Sequence, residues 1–101
     1  MIIHVKSEGN KKIFEPEGRL DTNAAVDFGA TLEKEVTAEV KELIIDMDKC
    51  PYVASSGLRV ILQAQKTMQK QQGEMIIRNV NEVVMEVFEM TGFCDILNIE
   101  E

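Results

Sequence analysis

The sequence predicts an α/β fold: a mixed sheet of four or five strands, an N-terminal hairpin followed by parallel strands, with a layer of about three helices on one face. Three observations predict it. Apolar and polar residues alternate on both sides of a Gly9-Asn10 turn, which indicates a hairpin. Two short apolar runs, at 43–45 and 75–77, are too brief for helices and indicate buried strands. The segments between and after these runs carry apolar residues at helical spacing.

The first helix is expected after the hairpin, whose second strand ends at Pro16 because proline has no N–H for a further ladder bond. Asp21 or Thr22 is the expected N-cap of this helix. Gly29 lies inside the helix, where it lowers helix propensity and allows a close approach to the sheet. The expected apolar face consists of Ala25, Phe28, Leu32 and Val36.

The second helix is expected to begin at Ser55-Ser56-Gly57, to run to about Gln71, and to end at Gly73 in the C′ position. Its expected inward face consists of Leu58, Ile61, Leu62, Gln65 and Met68. The outward face carries a basic stripe that we expect to be solvated, formed by Arg59, Gln63, Lys66 and Lys70.

The third helix follows the second buried strand, with Asn79 or Asn81 as its expected N-cap. Gly92 is expected to end this helix. Its expected inward face consists of Val83, Val84, Val87 and Phe88. Residues 96–99 are expected to add a last short strand.

The length of 101 residues predicts a single domain spanning 1–101. The net charge of −7 argues against nucleic acid or an anionic membrane as a partner. No apolar run approaches the roughly 20 residues that span a bilayer, and the N-terminus lacks a signal-peptide pattern. We therefore expect a cytoplasmic protein without membrane insertion, in which Cys50 and Cys94 are reduced thiols.

Catalytic chemistry finds little support among the residues. His4 is the only histidine and lies in the first strand. Neither Ser55 nor Ser56 therefore has an evident general base that could activate it as a nucleophile. Asp46 and Asp48 lack a third acidic ligand, and we expect turn residues there rather than a magnesium site. No glycine-rich phosphate loop occurs. We therefore expect that the protein is not an enzyme and that it binds neither a metal nor a cofactor.

The serine pair at the start of the second helix has two interpretations. Serine is a preferred N-cap residue, and such a cap is worth about 1 kcal/mol. The position also suits a covalent phosphate, because free N–H groups and the positive end of the helix dipole stabilise an anion there. A phosphoserine would add a charge of about −1.5 to −2 and change what can dock. On physical grounds alone, capping is the simpler interpretation.

Three segments carry a resemblance to a known family. The first segment, residues 46–62, begins with the Asp that ends a predicted strand and includes the Ser-Ser-Gly-Leu start of the second helix. Its sequence is Asp-Met-Asp-Lys-Cys-Pro-Tyr-Val-Ala-Ser-Ser-Gly-Leu-Arg-Val-Ile-Leu. Gly18-Arg-Leu-Asp21, with Ala25, forms a Gly-x-Leu-Asp element. The third segment is 73–79, followed by Val83-Val84, Phe88 and Thr91-Gly92. Together they resemble the STAS family, specifically the bacterial anti-sigma-factor antagonists, over nearly the whole chain.

The resemblance implies a non-enzymatic switch. Such a protein binds an anti-sigma factor, commonly a serine kinase with a GHKL-type ATPase fold, and thereby releases a sigma factor. The kinase phosphorylates the first serine of the pair, here Ser55 with Ser56 as the alternative, and a PP2C-type phosphatase reverses the modification. Ala54 stands where the family often has Asp. The expected partner-binding residues are Asp21, Asp46, Ala54, Ser55, Ser56, Gly57 and Arg59.

The family also implies an alternative function. Some of its members are subunits of lipid-transport ABC systems or stress-signalling scaffolds. A protein of that kind could share the fold without being phosphorylated.

Overall fold

The computed structural model describes residues 1–100. The strands are β1 (Ile2–Glu8), β2 (Lys11–Glu17), β3 (Glu42–Asp46) and β4 (Glu74–Arg78). The helices are α1 (Thr22–Glu35), α2 (Ser55–Lys70) and α3 (Glu82–Met90), followed by a 3₁₀ turn at Phe93–Asp95. The predicted order, a hairpin followed by alternating helices and strands, is confirmed as far as α3.

The four strands form one mixed sheet in the order β1-β2-β3-β4. β1 and β2 pair antiparallel, with Val5 opposite Phe14. β2, β3 and β4 are parallel, and their register aligns Phe14, Ile45 and Ile77 across the sheet. Parallel neighbours need a crossover connection, which α1 and α2 supply here. The predicted hairpin followed by parallel strands is therefore confirmed.

One core lies between the helices and one face of the sheet. Phe14, Ile45 and Ile77 share that face and are fully buried. The Phe14 ring packs edge-on against Phe28 of α1, with 6.3 Å between the ring centroids. All three helices add side chains to this core, among them Leu32, Leu58, Ile61, Met68, Val84 and Phe88. The predicted layer of helices on one face is confirmed.

The N-caps of α1 and α3 are among the predicted residues. The Asp21 carboxylate accepts a hydrogen bond from the Ala24 N–H at 2.9 Å and caps α1. The Asn81 side-chain oxygen accepts from the Val84 N–H at 2.7 Å and caps α3. Each cap satisfies one of the N–H groups that a helix start leaves without an intrahelical acceptor.

The predicted end of α2 is wrong by one residue. Gln72, rather than Gly73, adopts the left-handed conformation, with φ of 59°. Gly73 is required for a different reason. A Cβ atom at this position would lie 2.7 Å from the Lys41 carbonyl oxygen, so only glycine allows the chain to enter β4 here.

Some inward faces also differ from the prediction. Val83 is 58% exposed, because α3 turns Val84 and Phe88 into the core instead.

In α2, Leu62 and Gln65 are half-buried, and Ala64 takes the buried position because α1 packs against that side of the helix. Gly29 approaches Val60 of α2 rather than the sheet.

The C-terminal segment forms less sheet than predicted. Within the described residues, Ile99 makes a single parallel bridge with Ile77 in place of a strand over 96–99. The bridge follows the 3₁₀ turn at Phe93–Asp95 and consists of two bonds: the Ile77 N–H donates to the Asn98 carbonyl, and the Glu100 N–H donates to the Ile77 carbonyl.

Both cysteines are free thiols. Burial raises the pKa of the Cys50 thiol, whose sulfur donates a hydrogen bond to the Tyr52 carbonyl at 3.4 Å. Among residues 1–100, no helix combines the length and the apolar character that crossing a bilayer requires.

Replacing Phe28 with alanine is expected to lower the free energy of unfolding by about 3–5 kcal/mol, because the ring is fully buried and its removal leaves a cavity beside Phe14. Val26→Ala on the same helix is the matched control. Val26 is 70% exposed, so a change within about 0.5 kcal/mol is expected. Urea denaturation followed by circular dichroism measures both variants, and equal losses would contradict the inward face of α1.

Candidate functional site

Two loops lie side by side at the carboxyl ends of β2 and β3: the β2–α1 loop (18–21) and the β3–α2 loop (47–54). The N–H groups of Gly18, Leu20 and Ala54 donate to the carbonyls of Lys49, Tyr52 and Leu20, respectively, at 2.8–2.9 Å. Leu20 and Val53 also form a parallel bridge. This ladder places the start of α1 beside the start of α2.

Gly57 allows α2 to begin directly against this ladder. The residue is buried, and a Cβ atom on it would lie 2.8 Å from Leu20 Cγ and 3.0 Å from Val53 Cγ1. The distance to Leu20 Cγ is too short for a real Cβ atom, and the distance to Val53 Cγ1 is unusually tight. The glycine of the Ser-Ser-Gly segment is therefore required by packing.

The first turn of α2 has free backbone donors. Its N-cap is Ala54, whose methyl group cannot accept a hydrogen bond. The Leu58 N–H donates to the Ala54 carbonyl at 3.0 Å, which closes the first turn. The N–H groups of Ser55, Ser56 and Gly57 precede this bond and have no intrahelical acceptor. The interpretation that a serine caps α2 is therefore wrong, because the loop ladder holds Ala54 in the extended cap position.

The two serines occupy different environments. Ser55 is exposed, and its hydroxyl makes no hydrogen bond to the described residues. Ser56 is half-buried, and its hydroxyl donates to Thr22 Oγ1 at 3.3 Å. Thr22 is the first residue of α1, so this contact joins the N-termini of two helices. Their positive dipole ends lie together, and Ser55 is the more accessible hydroxyl beside them.

Asp46 does not form the exposed partner surface that the sequence suggested. It is only 8% exposed. Its carboxylate accepts hydrogen bonds from the Asn79 side chain at 3.0 Å, the Asp48 N–H at 3.1 Å and the Arg78 Nε at 3.3 Å. Arg78 and Asn79 lie at the end of β4, so Asp46 ties the ends of β3 and β4 together and orders the start of the β3–α2 loop.

The environment of Asp46 favours its ionised form. Burial opposes ionisation, but the hydrogen bonds from Asn79, Asp48 and Arg78, together with the charge of Arg78, outweigh burial and lower the pKa of the carboxyl. A lowered folded-state pKa stabilises the protein above the pKa of the unfolded chain. That stabilisation is lost as the pH falls through the folded-state pKa.

The sequence did not predict the contacts of three residues on this surface. Thr22 contacts Ser56, and Arg19 contacts Tyr52. The Arg19 guanidinium carbon lies 4.3 Å from the centre of the Tyr52 ring. No sequence spacing relates these two residues. The contact of Asp46 with the end of β4 could have been predicted from the sequence, because neighbouring parallel strands end at the same edge of a sheet.

The site therefore brings together most of the expected surface: Asp21, Ala54, Ser55, Ser56, Gly57 and, one turn further along α2, the exposed Arg59. Within residues 1–100, no group of three or more His, Cys, Asp or Glu side chains could hold a metal ion. What the arrangement offers chemically is an exposed hydroxyl beside free backbone donors, which can hold an anion.

A family model for the STAS domain matches residues 3–101. The chain belongs to the STAS domain family. This STAS domain is 35% identical over 83 residues to BtrV of Bordetella bronchiseptica, described as a candidate anti-sigma factor antagonist, covering 82% of this chain and 72% of BtrV. It is 30% identical over 83 residues to the anti-sigma-B factor antagonist of Listeria monocytogenes, covering 82% and 73% of the two chains.

Solved structures share the STAS architecture. The anti-sigma factor antagonist SpoIIAA in its unphosphorylated form matches with a TM-score of 0.78 and 16% identity, over 99% of this chain and 88% of that chain. Bacillus SpoIIAA in its phosphorylated form matches with a TM-score of 0.77 and 17% identity, over 99% and 92%. These likenesses confirm the predicted fold.

Asp46→Asn is expected to lower the free energy of unfolding by about 1–3 kcal/mol at pH 7, because it removes the charge that holds Arg78 and Asn79. The wild type should lose stability as the pH falls from about 4, the ordinary pKa of an unfolded-chain aspartate, through the lower pKa of folded Asp46, and the variant should lose less over that range. Urea denaturation at pH 7 and pH 3 measures both effects. Asp48→Asn is the exposed control, and identical pH dependence in wild type and Asp46→Asn would refute the clamp.

Two glycine substitutions in the helices should act in opposite directions. Gly57→Ala is expected to lower the free energy of unfolding by about 1–3 kcal/mol, because its Cβ would clash with Leu20 and Val53. Gly29→Ala should raise it by up to about 1 kcal/mol, since its Cβ would meet Val60 at an ordinary 3.6 Å and alanine favours helix. Thermal and urea denaturation compare the two. A tolerated Gly57→Ala would show that the start of α2 is not fixed by this contact.

Proposed function

We propose that this STAS domain is an anti-sigma factor antagonist that is switched off by phosphorylation of Ser55. In the unmodified state it binds an anti-sigma factor and thereby releases a sigma factor. The proposed contact surface comprises Asp21, Ala54, Ser55, Ser56, Gly57 and Arg59. The names of the relatives from Bordetella and Listeria support the function.

The observation that carries the proposal is the exposed Ser55 hydroxyl at the start of a helix that has no side-chain cap. A phosphate on Ser55 can accept hydrogen bonds from N–H groups that Ala54 leaves free, and the helix dipole favours its negative charge. The core need not move to accommodate it. The fold is compatible with such a modification, since SpoIIAA has been solved in both phosphorylated and unphosphorylated forms.

A phosphate on Ser55 would change the surface far more than the fold. It adds a charge of about −1.5 to −2 at the start of α2, beside the start of α1. A partner that fits the unmodified surface would have to bury this dianion without a matching positive charge, which costs several kcal/mol. Binding is therefore expected to fail while the domain remains folded.

The anti-sigma factor is proposed to be a GHKL-type serine kinase that modifies Ser55, with a PP2C-type phosphatase reversing the reaction in the cytoplasm. The domain itself is proposed to be non-catalytic. In support, His4 lies on the edge strand β1, where its Nε2 atom is 3.7 Å from Glu17 and makes no hydrogen bond to either serine. Ser55 is preferred over Ser56 because the Ser56 hydroxyl is already engaged by Thr22.

The test incubates the protein with the anti-sigma factor of its own genome and ATP, followed by intact-mass analysis. Wild type and Ser56→Ala should gain about 80 Da, the mass of the added HPO₃, whereas Ser55→Ala should not. Ser55→Ala should bind the anti-sigma factor about as tightly as wild type. Phosphorylated protein should bind at least about 100-fold more weakly, which corresponds to about 2.7 kcal/mol.

Thermal denaturation of the phosphorylated protein is the control for folding. We expect unchanged or slightly higher stability, by up to about 1 kcal/mol, because the new charge lies at a helix N-terminus. Phosphate that persists on Ser55→Ala would remove Ser55 from the role. Recovery of ABC-transporter subunits instead of an anti-sigma factor in a pull-down would favour the alternative, an unphosphorylated transport subunit.

A further inference from the structure

An apolar groove of about 540 Å³ lies between α1 and α2, open to solvent. Its lining is mostly small side chains, including Ala25, Val26, Gly29, Ala30, Val60 and Ala64. Three polar residues, Glu33, Gln63 and Thr67, complete the lining together with Leu32 and Val36. The Thr67 hydroxyl donates to the Gln63 carbonyl of its own helix at 3.1 Å.

The groove begins next to the exposed surface around Ser55 at the start of α2. The Ser56–Thr22 hydrogen bond joins the starts of the two helices, and Val26 and Val60 each lie one turn further along. The α1 wall extends from Val26 to Val36, which is about 15 Å at 1.5 Å per residue. This length matches about three turns of a helix laid along the groove.

The two rims of the groove differ in charge. On the α2 side, the exposed cations of the basic stripe flank the groove, because they lie three or four residues from the lining residues Gln63 and Thr67. These cations, Arg59, Lys66 and Lys70, make no ion pair with any residue in 1–100. On the α1 side, Glu33 lines the groove. In a chain of net charge −7, an unpaired basic stripe beside an apolar groove favours a partner surface that carries carboxylates.

We infer that this groove binds an amphipathic helix of the anti-sigma factor, about three turns long, with its apolar side in the groove and its carboxylates facing Arg59, Lys66 and Lys70. The inference rests on the proposed function, because the groove begins one turn from Ser55. A helix laid lengthwise covers a long, open apolar groove. A small molecule would need a more enclosed pocket to bury most of its surface.

The first test fills the groove. Ala30 is exposed in the groove, so Ala30→Trp should block the helix without disturbing the core. Ala38 is an exposed alanine outside the groove, and Ala38→Trp is its matched control. Calorimetric titration with the purified anti-sigma factor should show binding weakened at least about tenfold for Ala30→Trp and less than about twofold for Ala38→Trp.

The second test reverses one charge of the stripe. Lys66→Glu should weaken binding by about three- to tenfold and reduce its dependence on salt, because one attraction becomes a repulsion. Lys6→Glu, an exposed lysine on β1, makes the same change in net charge away from the groove and should leave affinity unchanged. Hydrogen exchange of the complex should protect residues 26–36 and a helical, carboxylate-bearing segment of the partner.

The outcomes separate the inference from the proposed function. If phosphorylation of Ser55 abolishes binding while Ala30→Trp and Lys66→Glu bind like wild type, the groove is not the docking site and the switch stands. If a loop or strand of the partner is protected instead of a helix, the proposed occupant is wrong. If the unmodified wild type binds no anti-sigma factor, both the proposed function and this inference are overturned.

Discussion

The backbone ladder between the β2–α1 and β3–α2 loops fixes where α2 begins, and Gly57 allows the helix to start directly against Leu20 and Val53. Because the β2–α1 and β3–α2 loops are joined by backbone hydrogen bonds, Ala54 is held extended and becomes the cap residue. A residue without a polar side chain at this position leaves the first N–H groups of α2 open to solvent. An alanine held in the cap position thus leaves an anion-accepting surface at the edge of the sheet.

The remainder of the structure supports this surface through hydrogen bonds and core packing. Asp46 holds the ends of β3 and β4 together, and the hydrogen bonds that lower its pKa stabilise the ionised carboxylate. The core behind it is built from side chains of the sheet and all three helices. A well-packed core of this kind suits the proposed switch, because a phosphate on Ser55 would alter docking at the surface and leave the packing unchanged.

The fold could be predicted from the sequence because its main signals are local. The Gly9-Asn10 turn, the two short apolar runs and the caps at Asp21 and Asn81 each depend on a few neighbouring residues. The errors arose where distant segments compete. Ala54, rather than a serine, caps α2 because its N–H donates to the Leu20 carbonyl of the other loop. Asp46 is buried because Arg78 and Asn79 at the end of β4 cover it. The Arg19–Tyr52 contact likewise follows from the pairing of two loops and has no local signature.

The central claim is that the start of α2 stabilises a phosphate dianion on Ser55 without rearranging the domain. Phosphorus-31 and amide NMR of the phosphorylated protein, titrated through the second ionisation of the phosphate, tests it directly. The account predicts a phosphate pKa below the usual value of about 6, with titration shifts confined to the amides at the starts of α1 and α2. A phosphate pKa at or above that value, or shifts spread through the core, would contradict it.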